Sequence, residues 1–127
     1  MSEDQKFCHS KGEDAEFEER GLRGYFEYRD LGIAAASNGA VVAHVIRAKE
    51  DHHATGEWHV HDCSFQMIYI LKGWVRFEYE GVGEKLLKPG DSVMQPAGIR
   101  HREIEHSADL ELIEIVTPAD FTTENVT

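Results

Sequence analysis

Two histidines separated by one residue are the first candidates for chemistry in this sequence. His59 and His61 would leave the same face of an extended strand, because strand side chains alternate between faces. Their Cβ atoms would lie about 6–7 Å apart, so both imidazoles could lean onto one ion with bonds of about 2.0–2.1 Å. A helix would place the two side chains on different faces. The spacing therefore predicts a strand and a metal site together.

Two further residues extend this candidate site. Gln66 follows the two histidines, and His101 follows a bend formed by Pro96 and Gly98. Three imidazoles and one amide would leave a coordination position open for water or substrate, which is typical of sites that do chemistry. We therefore predict that His59, His61, Gln66 and His101 bind a metal. An alternative for Gln66 is that it only orients a bound water.

The ligand types restrict the metal without naming it. We predict one divalent ion per chain: imidazole suits iron, nickel, zinc and copper, and the amide oxygen of Gln66 also admits manganese. Because the four side chains are neutral, the ion would keep its formal charge of +2. That charge would favour an anionic ligand and would make a bound water more acidic.

These residues and their spacing resemble the two signature motifs of the cupin superfamily, over roughly residues 38–118. The first motif is matched by Gly56, His59, His61, Gln66 and Gly73, and the second by Gly90, Pro96, Gly98, His101 and Glu105. The family usually has Glu at the position of Gln66 and often Asn at that of Glu105. The resemblance implies an all-β fold, a cupin-type antiparallel β-barrel or jelly roll (double-stranded β-helix) with one metal in its mouth. It also implies a homodimer formed through N-terminal strands.

The elements that must position the site are also suggested by composition. Short apolar runs such as Phe65–Leu71 and Leu110–Val116 alternate with Gly, Pro, Asn and Asp, which predicts an antiparallel sandwich or barrel. Asn38-Gly39, between two apolar runs, predicts a hairpin. We expect a mobile acidic tail over residues 1–20, one barrel over 21–118 and a C-terminal tail over 119–127.

The remaining candidate site residues are acidic side chains and a histidine in a loop. In the last long strand either face carries one glutamate, and we favour Glu114 over Glu111 as a pocket acid or base whose pKa burial would raise. Glu103 and Glu105 are expected to face solvent. His53, in the loop before the first motif, is a candidate substrate contact; the alternative is a solvated loop residue.

Net charge and cysteine content restrict the binding partners and the cellular compartment that we expect. The 127 residues carry 24 acids and 13 bases, a net charge of −11, which argues against nucleic acid and anionic membranes as partners. The polar N-terminus does not resemble a signal peptide. Cys8 and Cys63 fit free thiols in a reducing cytoplasm, with Cys63 as a redox-sensitive neighbour of the metal as the alternative.

Two functional hypotheses follow. The first is a metal-dependent enzyme acting on a small anionic or keto/enol molecule; an oxygenase with an iron-type centre is favoured, and the resemblance also allows an isomerase or decarboxylase. The second is a non-catalytic small-molecule binding or sensor cupin. Fold alone does not decide between them.

Overall fold

The computed structural model describes residues 5–19, 25–49 and 56–126, and nearly all of its regular structure is β-strand. One short helix, α1, spans Ile33–Ala36, and a 3-10 turn spans Gly12–Asp14. The strands are β1 Glu18–Glu19, β2 Phe26–Asp30, β3 Val42–Ala48, β4 His59–Asp62, β5 Phe65–Lys72, β6 Val75–Tyr79, β7 Gly83–Leu87, β8 Ser92–Met94, β9 His101–His106, β10 Glu111–Thr117 and β11 Thr122–Asn125.

The strands form two antiparallel sheets. The first has the order β1-β2-β3-β10-β5-β8, and the second the order β11-β4-β9-β6-β7. Strands that are neighbours in space are often distant in sequence, as when β10 lies between β3 and β5. The all-β, antiparallel prediction is confirmed.

The core lies between the two sheets, mostly on the inner face of the first, and follows the alternation of the strands. In β5, Gln66, Ile68 and Ile70 are buried, whereas Tyr69 and Leu71 on the opposite face are 43 % and 42 % exposed. Each aliphatic side chain buried in this way stabilises the fold by about 1.5–3 kcal/mol. The cluster of buried residues consists of Phe26, Ile46, Ile68, Ile70, Val75, Leu87, Leu110 and Leu112.

The predicted hairpin around Asn38-Gly39 is only partly correct. Both residues have positive φ, 54° and 81°, and β2 pairs with β3 in antiparallel register. The run before the turn, however, forms helix α1 rather than a strand. Its Ile-Ala-Ala-Ala sequence has a high helix propensity, and Gly39 donates a 2.8 Å hydrogen bond to the carbonyl of Ala34 that closes the helix end.

The segments expected as tails make defined contacts with the sheets. Arg29 of β2 donates a 2.9 Å hydrogen bond to the hydroxyl of Ser10, and Arg47 of β3 stacks on Phe17. At the other end, β11 pairs with β4, so strand pairing continues past the boundary expected at residue 118. The sequence did not predict β11 because Thr-Thr-Glu-Asn has no apolar alternation. Within the described ranges, no helix is long and apolar enough to cross a membrane.

Candidate metal centre

His59, His61 and His101 come together as the sequence predicts. His59 and His61 lie on β4, and His101 is the first residue of β9, directly opposite His59 in the strand register. One ring nitrogen from each histidine lies within 4.8 Å of the other two. Two atoms that share one ion at about 2.1 Å can be at most about 4.2 Å apart, so a small side-chain movement would let all three bind one metal.

The imidazoles of His59 and His101 are oriented by backbone carbonyls next to their Nδ1 atoms. The Nδ1 of His59 lies 3.1 Å from the carbonyl oxygen of Glu57, and that of His101 lies 3.0 Å from the carbonyl oxygen of Ile99. Because a carbonyl oxygen only accepts, both Nδ1 atoms carry the proton, and the lone pair of each neutral ring is on Nε2. This arrangement orients metal-binding histidines in many proteins.

The partner of the third histidine is a hydroxyl. The Nδ1 of His61 lies 2.8 Å from Oγ1 of Thr123 on β11, and the ring of Phe121 meets the imidazole edge-on at 5.7 Å. A hydroxyl can donate or accept, so this contact permits either tautomer of His61. Neither residue was a candidate from sequence, since the strand that carries Thr123 was not predicted.

The histidines open into a cavity of about 460 Å³ between the two sheets, a size usual for small-molecule sites. Its apolar wall comes from Phe26, Tyr28, Val42, Ile46, Ile68, Phe77, Leu112, Ala119 and Phe121, and its polar groups come from His44, His59, His61, Gln66, Gln95, His101, Glu103, Glu114 and Thr123. The predicted Gln66 and Glu114 therefore both line the cavity that holds the three histidines.

Gln66 and Glu114 are joined directly. Nε2 of Gln66 donates a 2.9 Å hydrogen bond to one carboxylate oxygen of Glu114, and the imidazole of His44 lies 3.7 Å from the other. Burial alone would raise the pKa of Glu114, but the nearby imidazoles of His44 and His61 and the Gln66 hydrogen bond outweigh it and lower the pKa. The expectation of a raised pKa was therefore wrong, and Glu114 is held as a carboxylate.

The expectation that Glu103 faces solvent is also wrong. Glu103 is 2 % exposed, shares the inner face of β9 with His101, and accepts a 2.8 Å hydrogen bond from Nδ1 of His106, which is fully buried. Glu103 is two residues after His101, so plain strand alternation places it on the same inner face. A one-residue irregularity in the pairing of β9 with β6 follows Glu103 and brings His106, rather than Glu105, to the buried face. The burial of Glu103 thus follows the alternation, whereas the inward position of its partner His106 depends on a bulge that the sequence does not reveal.

Tyr79 and Gln95 support His101, through a ring contact and a hydrogen bond to the residue that makes it. Tyr79 lies opposite His101 in the register, its ring stacks on the imidazole at 5.7 Å, and its hydroxyl donates a 2.8 Å hydrogen bond to Gln95. Burial raises the pKa of Tyr79, so it stays protonated and keeps this hydrogen bond at any ordinary pH.

Two other candidates contribute less to the site. His53 lies outside the described residues, so its contact with substrate remains a prediction. Cys63 is partly buried, and its pKa is raised by burial and by the charges of Asp62 and Glu114, against a smaller opposing hydrogen bond from the Phe65 backbone. A raised thiol pKa argues against a reactive, redox-sensitive cysteine.

Solved structures share this architecture. An RmlC-like cupin from Shewanella frigidimarina is 27 % identical, with a TM-score of 0.71 over 92 % of this chain and 96 % of that one. The polyketide cyclase RemF from Streptomyces resistomycificus is 17 % identical, with a TM-score of 0.74 over 97 % and 86 % of the two chains. Oxalate decarboxylase from Bacillus subtilis is 17 % identical, with a TM-score of 0.67 over 98 % of this chain and 34 % of that one. These likenesses confirm the jelly-roll prediction.

Curated protein sequences contain no match to this chain. A family model described as the cupin domain, however, matches residues 48–116, which is more than half of the sequence and includes all three histidines of the site. Together with the two-sheet fold and the histidine cluster, this match shows that the chain belongs to the cupin family.

Proposed function

We propose that this protein is a metal-dependent cupin enzyme that acts on a small anionic or keto/enol molecule, with an iron-type oxygenase as the favoured reaction class. One observation carries the proposal: three imidazole nitrogens within 4.8 Å of one another in a cavity of about 460 Å³. In this proposal His59, His61 and His101 hold one divalent ion. Iron, manganese, nickel, zinc and copper remain candidates for that ion.

The donor set fits a metal that takes part in a reaction. The backbone carbonyls of Glu57 and Ile99 fix two imidazoles in the tautomer that has its lone pair on Nε2. Three histidines, even with Gln66 as a further neutral ligand, leave positions for water or substrate on an ion that takes more than four ligands, in contrast to a closed structural site. A metal bound here would act as a Lewis acid or redox centre toward a substrate oxygen.

The role of Gln66 follows from its hydrogen bond to Glu114. Because its amide nitrogen already donates to that carboxylate, its carbonyl oxygen is the atom it can offer to a metal or to a bound water. We propose Gln66 as the fourth, neutral ligand. Glu114 then orients Gln66 and, as a carboxylate on the cavity wall, can accept a proton or a hydrogen bond from the substrate.

The cavity wall supports a specific class of substrate. Its apolar side chains suit a small organic body, and the carboxylates of Glu103 and Glu114 repel a free anion. An anionic head group is therefore favoured only in direct contact with the metal. A carboxylate, diketone or hydroxy-keto compound has this chemistry. His53 remains a proposed further contact.

A homodimer is also proposed, since side chains on the outer face of the first sheet offer an apolar surface. Met67 and Met94 are register partners there, Met94 is 58 % exposed, and Tyr69 and Leu71 lie on the same face of β5. Light scattering coupled to gel filtration would measure the mass of the assembly directly.

The enzyme proposal is tested with a panel of small carboxylates, diketones, phenols and amines. Each is added to protein loaded with iron, manganese or nickel under air, and melting temperature, oxygen uptake and product formation are followed. We expect an anionic or diketone compound to stabilise the protein and to be consumed. A compound that raises the melting temperature but is never consumed would favour the sensor function, and stabilisation by amines alone would contradict the proposed substrate class.

A further inference from the structure

We propose that Thr123 is a positioning residue for the metal centre: its hydroxyl accepts a hydrogen bond from Nδ1 of His61 and so stabilises the tautomer of His61 that can bind a metal. The inference rests on the proposed metal binding by His59, His61 and His101. It concerns a residue of β11, outside both cupin motifs, and it makes the C-terminal strand a part of the site.

The three histidines are not fixed in equivalent ways. His59 and His101 are buried, and each has its Nδ1 against a backbone carbonyl of the residue two positions earlier. Those contacts are local and hold whichever side chains surround them. His61 is the more exposed of the three, and its Nδ1 partner is a side chain 62 positions away. Its orientation therefore depends on the docking of another strand.

β11 is well placed for this role. Thr123 is the direct register partner of His61, and β11 pairs with all four residues of β4, from Thr122 opposite Asp62 to Asn125 opposite His59. On its other side β4 meets β9 through His59 opposite His101. A further hydrogen bond, from the backbone N–H of Val126 to the carbonyl of Trp58, extends the contact at 2.8 Å.

The tautomer matters because a neutral imidazole has one lone pair. If Nδ1 donates to Oγ1 of Thr123, the lone pair is on Nε2, as in the other two histidines. If the hydroxyl donates to Nδ1, Nε2 carries the proton and cannot bind an ion. Binding of a metal at Nε2 selects the first arrangement. By linkage, a hydroxyl that favours this tautomer raises metal affinity, and bound metal strengthens the docking of β11.

Thr123→Val tests the proposal, since valine has nearly the same shape but lacks the hydroxyl. We expect its affinity for Zn²⁺, measured by competition with a chromophoric chelator, to fall by about tenfold, at the lower end for loss of a ligand's hydrogen-bond partner. Thr123→Ser retains a hydroxyl and should recover most of the loss. Thr122→Val, at the neighbouring exposed position, is the matched control and should bind like the wild type.

A second measurement needs no metal. The ¹⁵N shifts of the His61 ring at pH 8, where imidazoles are neutral, report which nitrogen carries the proton. We expect mainly the Nδ1–H form in the wild type and in Thr123→Ser, and a shift toward Nε2–H in Thr123→Val. Unchanged tautomer and unchanged Zn²⁺ affinity in Thr123→Val would overturn the proposal, as would equal losses in Thr122→Val, which would indicate a general weakening of β11.

These readouts separate the two proposals. A wild-type protein that binds no metal, yet has the Nδ1–H tautomer and loses it in Thr123→Val, would contradict the proposed function, and only the control of the His61 tautomer by Thr123 would stand. If the wild type and Thr123→Val bind metal equally tightly, the proposed metal site would be supported and the positioning role of Thr123 would be contradicted.

Discussion

Gln66 and Glu114 form a hydrogen-bonded pair on the cavity wall, with 2.9 Å between the amide nitrogen and the carboxylate oxygen. The pair combines a neutral side chain at the first motif with a carboxylate 48 residues later, on the neighbouring strand β10. A negative charge is thus present near the site, but it is attached to residue 114 instead of residue 66. Any substitution at one of these positions changes the partner of the other.

Gln66→Glu alone should therefore give only a small gain in metal affinity. The new carboxylate would face that of Glu114, and the repulsion between the two would offset most of its attraction to the metal. The exchange Gln66→Glu with Glu114→Gln keeps a hydrogen bond and moves the charge next to the metal. We expect this double variant to bind Zn²⁺ at least about tenfold more tightly than the wild type, or about 1.4 kcal/mol. Chelator competition measures both variants, and equal affinity of double variant and wild type would place residue 66 outside the ligand set.

Glu114→Gln separates binding from turnover. The amide can still accept the hydrogen bond from Gln66, so metal and ligand affinity should be retained, but it cannot accept a proton. If Glu114 is the proton acceptor, the turnover number should fall by about 10²-fold or more with little change in the ligand's dissociation constant. Glu111→Gln, on the other face of β10, is the control and should leave turnover unchanged. Full activity of Glu114→Gln would reassign the acceptor role.

Glu103 should contribute more to stability than its neighbour Glu105. Glu103→Ala removes the carboxylate that accepts from buried His106, and we expect a loss of about 2 kcal/mol in the free energy of unfolding. Glu105 pairs with Arg76 at 3.2 Å, and about a third of each side chain is exposed, so Glu105→Ala should cost less than about 1 kcal/mol. Urea unfolding of the two variants gives the comparison, and equal losses would mean that the buried pair has no special weight.

The two thiols should differ in reactivity. Cys8 is exposed, whereas Cys63 is partly buried and its pKa is raised, so less thiolate is present at a given pH. With iodoacetamide at pH 8, followed by mass spectrometry of the peptides, we expect Cys8 to be alkylated several-fold faster. Faster modification of Cys63 would revive its interpretation as a redox-sensitive neighbour of the metal.

Local spacing was sufficient to predict much of the fold and the histidine cluster. The HxH parity on β4, and the Pro-Gly bend before His101, depend on backbone geometry within a few residues. Glu103 shares the strand parity of His101 and is buried with it, but its partner His106 faces inward only because of the β9 bulge, which the sequence does not reveal. Thr123 was missed because its polar strand is stabilised by pairing with β4 rather than by its own pattern. The pKa of Glu114 likewise depends on His44, His61 and Gln66, which only the folded chain brings together.

Elemental analysis tests the central claim most directly. Protein purified without chelators and without a metal-affinity tag should contain about one equivalent of a divalent transition metal per chain. The variant with both His59→Ala and His61→Ala should contain none and should still give the circular dichroism spectrum of a folded β protein, because neither histidine belongs to the apolar core cluster. His9→Ala is the control and should retain the metal. Stoichiometric metal in the double variant, or a wild-type protein that neither contains nor takes up metal, would contradict the assignment of the site.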